Sequence, residues 1–133
     1  MAAGSVRPVA APETRVLVVD DDPVILRLLE VNFEMEGFAV LTAGDGEAAL
    51  SLAIAELPDI VVSDVMMPKM SGLELARALK ADGATAGIPV ILLSAKAQVH
   101  DVRAGMDAGA DDYVTKPFEP LELVSRVNTL LGR

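Results

Sequence analysis

Five short aliphatic runs recur along the chain, and each is followed by a longer segment whose apolar residues return every three or four positions. Runs that are apolar nearly throughout mark strands buried on both faces, and the longer spacing marks amphipathic helices. Strands are predicted over residues 15–19, 38–43, 59–63, 88–93 and 111–115. In the first intervening segment, Asp22 is placed to cap a helix that begins at Pro23, Ile25, Leu28, Leu29 and Phe33 share one face, and Gly37 ends it. Further helices are predicted over residues 45–56, 71–81, 97–106 and 119–131. The alternation carries no internal repeat and points to an α/β domain, a doubly wound five-stranded parallel sheet with five helices.

Composition narrows the picture. With 133 residues, 52% of them apolar and none of them tryptophan, the chain can bury one aliphatic core. A formal net charge of −9 argues against a surface that neutralises nucleic-acid phosphates or anionic lipid, so no direct nucleic-acid partner is expected. The absence of cysteine excludes disulfides, thiolate metal sites and a cysteine nucleophile, and it suits a cytoplasmic setting. Residues 1–13, rich in Ala and Pro, lack the apolar stretch of a secretory signal and read as a flexible lead-in to a domain over 14–133. The apolar run "IPVILL" at 88–93 is far shorter than the ~20 residues needed to cross a bilayer, so no membrane association is expected.

Polar residues cluster where these strands end. "VLVVDDDP" drives a strand into Asp20, Asp21 and Asp22; Asp64 follows the third strand, Ser94 the fourth and Lys116 the fifth. In open α/β sheets the ligand crevice lies outside the carboxyl ends of the strands. Two carboxylates a few ångströms apart repel by about 1 kcal/mol in water and several-fold more in a less polar pocket. A hard cation with oxygen ligands, Mg2+ above all, would offset that repulsion and leave positions for a phosphoryl oxygen. Asp64 is then a candidate nucleophile for an acyl phosphate, with Lys116 and Ser94 binding further phosphoryl oxygens.

The segments "VLVVDDDP", "DIVVSDVMMPKMSGLEL", "VILLSA" and "GADDYVTKPFEPLEL", in this order and spacing, resemble the receiver domain of bacterial two-component response regulators over residues 14–132. The resemblance implies a flavodoxin-like sheet of order 2-1-3-4-5. It implies Asp64 as phosphoacceptor, with Asp21 ligating Mg2+ directly, Asp20 largely through water, and the Met66 backbone carbonyl as a further ligand. Lys116 would bind phosphate, joined to Pro117 by a cis bond, while Ser94 and Tyr113 would act as switch residues for a face made by helix four, strand five and helix five. Such a domain accepts its phosphoryl group from a sensor histidine kinase or a histidine phosphotransfer protein and signals to a downstream protein target or output domain. It catalyses only its own phosphorylation and dephosphorylation. No output domain is expected after helix five. Met66 and Lys96 stand two residues beyond the acceptor and the hydroxyl residue, where the family borders the path of the attacking water.

Simpler roles suit other residues. Asp22 reads as a helix cap rather than a ligand, and His100 as a surface residue. Two further classes compete. "DDDPV" fits the Asp-x-Asp-x-Val box of haloacid-dehalogenase-like phosphatases, with Asp20 as nucleophile; that class needs a late acidic motif following a strand, and "GADDY" precedes or opens one. A flavodoxin-like cofactor binder needs a phosphate-cradling loop where three aspartates stand. The stretch from "VRAG" at 102 to Arg133 is most like receivers of the winged-helix DNA-binding subfamily, which pair when phosphorylated. Asp111, Asp112, Arg126 and Arg133 match their cross-dimer ion pairs, but Val102 stands where a basic partner for Glu122 belongs. A monomer is expected in the resting state, and a weak homodimer when phosphorylated.

Overall fold

A computed structural model describes residues 13–133, so the lead-in reading for the residues before Glu13 lies outside the described part. The elements alternate as predicted: β1 (Arg15–Val19), α1 (Pro23–Met35), β2 (Ala39–Ala43), α2 (Gly46–Glu56), β3 (Ile60–Asp64), α3 (Gly72–Ala81), β4 (Val90–Ser94), α4 (Val99–Asp107), β5 (Asp112–Thr115) and α5 (Pro120–Leu130). All strand pairs are parallel and the order is β2-β1-β3-β4-β5.

The two-residue period of each strand sorts its side chains onto two cores. Leu17, Val19, Val61, Val90 and Leu92 face one layer with Ala49 and Ala53 of α2 and Leu75 and Leu79 of α3. Val16, Val18, Ile60, Val62, Ile91, Leu93 and Val114 face the other, with Leu29 and Phe33 of α1 and Leu123, Val124 and Val127 of α5. Because β1, β3 and β4 are covered on both sides, their runs are apolar without alternation.

Local chemistry sets the helix ends. The Asp22 carboxylate accepts from the Val24 N–H at 2.9 Å and Pro23 occupies the first turn. At the far end Gly37 takes φ +92°, its N–H donates to Glu34 O, and the Phe38 N–H donates to Phe33 O while the two Phe rings meet edge to face at 5.4 Å. This is a Schellman closure with its hydrophobic contact, so the predicted stop at Gly37 is a left-handed cap. Asp45 caps α2, and Ser71 with Glu74 forms a reciprocal capping box on α3.

Strand and helix bounds differ from the predicted ones by up to two residues. β4 starts at Val90 rather than 88 because the Ile88 N–H still closes a turn on Thr85 O and Pro89 has no N–H to offer. α4 starts at Val99 rather than 97, after Gln98, whose N–H is met by the Asp101 carboxylate at 3.3 Å. Asp64 and Ser94 close their strands rather than follow them.

Replacing Asp22 by Ala leaves a first-turn amide without its acceptor and is expected to lower stability by about 1 kcal/mol, read as a lower denaturation midpoint with an unchanged slope. An unchanged midpoint would mean that the cap contributes nothing.

Candidate functional site

The sheet order places the ends of β1 and β3 side by side, with Val19 paired to Ser63, so Asp20 and Asp64 meet at the carboxyl edge. Carboxylate oxygens of Asp20, Asp21 and Asp64 lie within 4.8 Å of one another. Asp20 and Asp64 are buried and Asp21 is exposed. The three consecutive aspartates therefore do different work. Asp20 Oδ1 accepts from the Asp22 N–H at 2.9 Å, Asp21 faces solvent, and Asp22 is turned away to cap α1.

Lys116, just past β5, completes the cluster. Its Nζ lies 2.9 Å from Asp64 Oδ1 and 3.6 Å from Asp20 Oδ2. The Lys116 N–H donates to Ser94 O at 2.8 Å, which ties it to the end of β4, and the Lys116–Pro117 bond is cis. Between Asp64 and α3 the chain folds back tightly, the Gly72 N–H donating to Val65 O. A Cβ at Gly72 would sit 2.3 Å from Asp64 O, so only glycine lets α3 begin that close to the acidic residue. Met66, in this loop, is 58% exposed.

Ser94 is fully buried, and its Oγ accepts from the Lys96 N–H at 3.1 Å. The Tyr113 hydroxyl donates to Lys96 O at 2.8 Å. The backbone of Lys96 thus joins the two residues read as a switch pair. The sequence singled out Lys96 for its position two residues beyond Ser94 and did not reveal this junction, because a peptide group leaves no signature in residue type. Lys96, Met66 and Tyr113 line one cavity of about 210 Å³ between the loop after β3 and α4.

The electrostatics are unbalanced, with three carboxylates facing one ammonium. Burial raises the Asp20 carboxyl above its ordinary value against the Asp22 amide, which lowers it; the Asp64 charge adds to the rise and Lys116 opposes it. Burial pulls Lys116 down, but its hydrogen bond to Asp64 and the charges of Asp64 and Asp20 outweigh that and leave it raised. Among the described residues, Asp20 Oδ2 finds no hydrogen-bond donor. A buried carboxylate oxygen with no hydrogen bond and only the Lys116 ammonium at 3.6 Å, in an all-oxygen donor set, fits a hard divalent cation.

The competing phosphatase reading fails on position. Asp111 Oδ2 accepts from the N–H of Val90, the first residue of β4, at 2.8 Å, and pairs with Lys80 at 3.2 Å. It sits at the amino edge of the sheet, opposite Asp20, and Asp112 opens β5. The residues matched to dimer contacts are likewise engaged within the chain: Arg126 pairs with Asp112 at 2.9 Å and Glu122 at 3.5 Å, and Arg133 donates to Thr14 Oγ1 and lies over the Phe38 ring. His100 is exposed, as expected.

Residues 16–128 match the family described as response regulator receiver domain. The chain belongs to the response-regulator receiver family. Among its relatives, this receiver is 48% identical over 120 residues to the DNA-binding response regulator MtrA of Mycolicibacterium smegmatis, covering 90% of this chain and 51% of that protein. It is 44% identical over 119 residues to the DNA-binding dual master transcriptional regulator RpaA of Synechocystis, covering 90% and 49%. The chain spans about half the length of the curated relatives it matches. Its fold superposes on the chemotaxis response regulator CheY4 of Vibrio cholerae with a TM-score of 0.85 at 29% identity, over 90% of this chain and 99% of that one. The receiver domain of sensor histidine kinase PA1611 from Pseudomonas aeruginosa, solved with a magnesium ion in its active-site cleft, gives a TM-score of 0.84 at 28% identity, over 92% and 100%. The chain is therefore a phosphoacceptor-type receiver, of a family whose members are not enzymes in the ordinary sense. No helix among the described residues is long and apolar enough to cross a membrane.

The raised Asp20 carboxyl sets a pH dependence. The folded receiver holds that proton more tightly than the unfolded chain, so ionised Asp20 costs stability at neutral pH, and the cost vanishes as pH falls below the ordinary value of 3.8. Asn at this position keeps an oxygen for the Asp22 amide, and Lys116 keeps Asp64. Asp20→Asn is expected to stabilise the metal-free protein by about 1 kcal/mol at pH 7 and by progressively less toward pH 4, in urea titrations at several pH values. Destabilisation at pH 7 would contradict this.

Proposed function

We propose that this receiver takes a phosphoryl group from a phosphohistidine onto Asp64 and uses the acyl phosphate to switch its α4-β5-α5 face. The observation that carries the reading is the convergence of buried Asp64 with the Lys116 ammonium at 2.9 Å, beside Asp20 and Asp21, at the end of the central strand. An Asp64 carboxylate oxygen attacks phosphorus, the P–N bond of the phosphohistidine breaks, and the imidazole leaves with its electron pair to take up a proton. Lys116 holds one phosphoryl oxygen as a point charge and the Ser94 hydroxyl donates to another, so the protein acts by positioning and charge compensation.

Mg2+ is the proposed cofactor: Asp21, Asp64 and the Met66 carbonyl would hold it directly and Asp20 largely through water. When bound it supplies charge neutralisation at the transferring phosphoryl group. The magnesium in the PA1611 cleft and the buried Asp20 oxygen that lacks a hydrogen bond support this assignment. The donor is a sensor histidine kinase or histidine phosphotransfer protein, and the recipient of the signal is a protein target or an output domain; the DNA-binding relatives favour the latter. We assign the receiver to residues 14–133, place it in the cytoplasm and assign no direct nucleic-acid or membrane contact to it. Its resting state is a monomer. A weak homodimer on phosphorylation would have to exchange the Arg126–Asp112 pair between chains, and surface pairs contribute only ~0–1 kcal/mol each.

With acetyl phosphate as donor, Asp64→Asn is expected to lose stable labelling while keeping its fold, and Asp21→Ala to lose labelling together with Mg2+ affinity. Wild-type labelling in Asp64→Asn, or unchanged Mg2+ affinity in Asp21→Ala, would overturn the corresponding assignment.

A further inference from the structure

α4 is a weakly supported helix. It has nine residues, and isolated helices under about 12 are marginal in water. Val99, at its start, is 72% exposed and Met106, near its end, 44%. Its one buried residue is Gly105, which places the residue most costly to a helix interior, after proline, at the point of contact with the sheet. The geometry there explains the choice. A Cβ at 105 would lie 2.7 Å from Tyr113 Cδ2, 3.0 Å from Tyr113 Cε2 and 3.4 Å from Leu92 Cδ1. The Tyr113 ring fills the space that a side chain at 105 would take, and its hydroxyl is fastened to Lys96 O at 2.8 Å, in the loop leading to α4.

We propose that Gly105 is a positioning residue for the switch: the side chain it lacks forms the slot that seats the Tyr113 ring, so that the ring cannot move without changing how α4 sits on the sheet. The contact makes the two one variable. Any event in the phosphoacceptor pocket that displaces Tyr113 removes the support beneath the only buried point of α4, and anything that binds and moves α4 acts back on the ring. The word switch rests on the function proposed above; the slot itself rests on geometry alone.

The chain has one tyrosine and no tryptophan, so its intrinsic emission reports on Tyr113 with little interference. In the full chain, Gly105→Ala is expected to raise acrylamide quenching of that emission and to make α4 amides exchange about tenfold faster, with β1 and β3 amides unchanged. A double-mutant cycle gives the decisive sign. Gly105→Ala should lower the melting temperature of the wild type but raise it in a Tyr113→Ala background, where the slot is empty and alanine's better helix propensity is all that remains. Equal melting shifts in both backgrounds, or unaltered emission and exchange in Gly105→Ala, would overturn the proposal; if Tyr113→Ala does not fold, emission and exchange decide it. Beryllofluoride with Mg2+ should change the wild-type quenching and change that of Gly105→Ala by less. Quenching in the wild type that is indifferent to beryllofluoride would count against the phosphoacceptor reading and leave the seating of Tyr113 to be judged by the cycle.

Discussion

Three carboxylates held within 4.8 Å of one another, two of them buried, are the constraint around which this receiver is arranged. Such a cluster is unfavourable by itself, since burial and like charge both work against ionisation. It persists because elements distant in sequence enforce it. Asp20 follows Val16–Val19, which are fully buried, and Asp64 closes the adjacent strand, so neither can retreat without disturbing both cores. Among the described residues the one ammonium that reaches both, from Lys116, compensates only part of the charge. What remains is an excess of negative charge at oxygen donors, the setting that suits a hard cation.

The same sheet carries the consequence outward. Lys116 is tied by its backbone to Ser94, Ser94 by its hydroxyl to the Lys96 amide, and the Lys96 carbonyl to Tyr113. Each link is a single hydrogen bond, of the order of 1 kcal/mol net, so under the proposed function a modest change at Asp64 would suffice to rearrange the path. Of the strands beneath it, β3 and β4 are buried throughout, while β5 is largely half-buried. Under the proposed function, a buried sheet centre with a weakly held α4 at its carboxyl edge would localise the response to one side of the molecule. At the opposite edge, Asp111, Lys80 and Val90 form a polar clamp that has no part in this path.

Much of this was legible in the chain. The element order followed from the switch between continuous apolar runs and three-to-four spacing, because a strand covered on both faces leaves no polar alternation to confuse it. Asp20, Asp64 and Lys116 were legible as a site because each stands at a strand's carboxyl end, and the meeting of Asp20 with Asp64 needs only β1 beside β3. Helix starts at Val99 and strand starts at Val90 were placed early, since a capping residue and a proline turn share the composition of the element they precede. The seating of Tyr113 on Gly105, the Lys96 junction and the internal pairing of Arg126 were not legible. They depend on backbone atoms, on an absent side chain and on a choice between partners within and between chains, none of which residue spacing encodes.

The account turns on which carboxylate receives the phosphoryl group. Phosphorylating the intact chain with acetyl phosphate and Mg2+, reducing the acyl phosphate with borohydride so that the modified aspartate becomes homoserine, and mapping the product by peptide mass spectrometry reads that residue directly. The account predicts homoserine at Asp64 alone. Homoserine at Asp20, the nucleophile of the phosphatase reading, would contradict it.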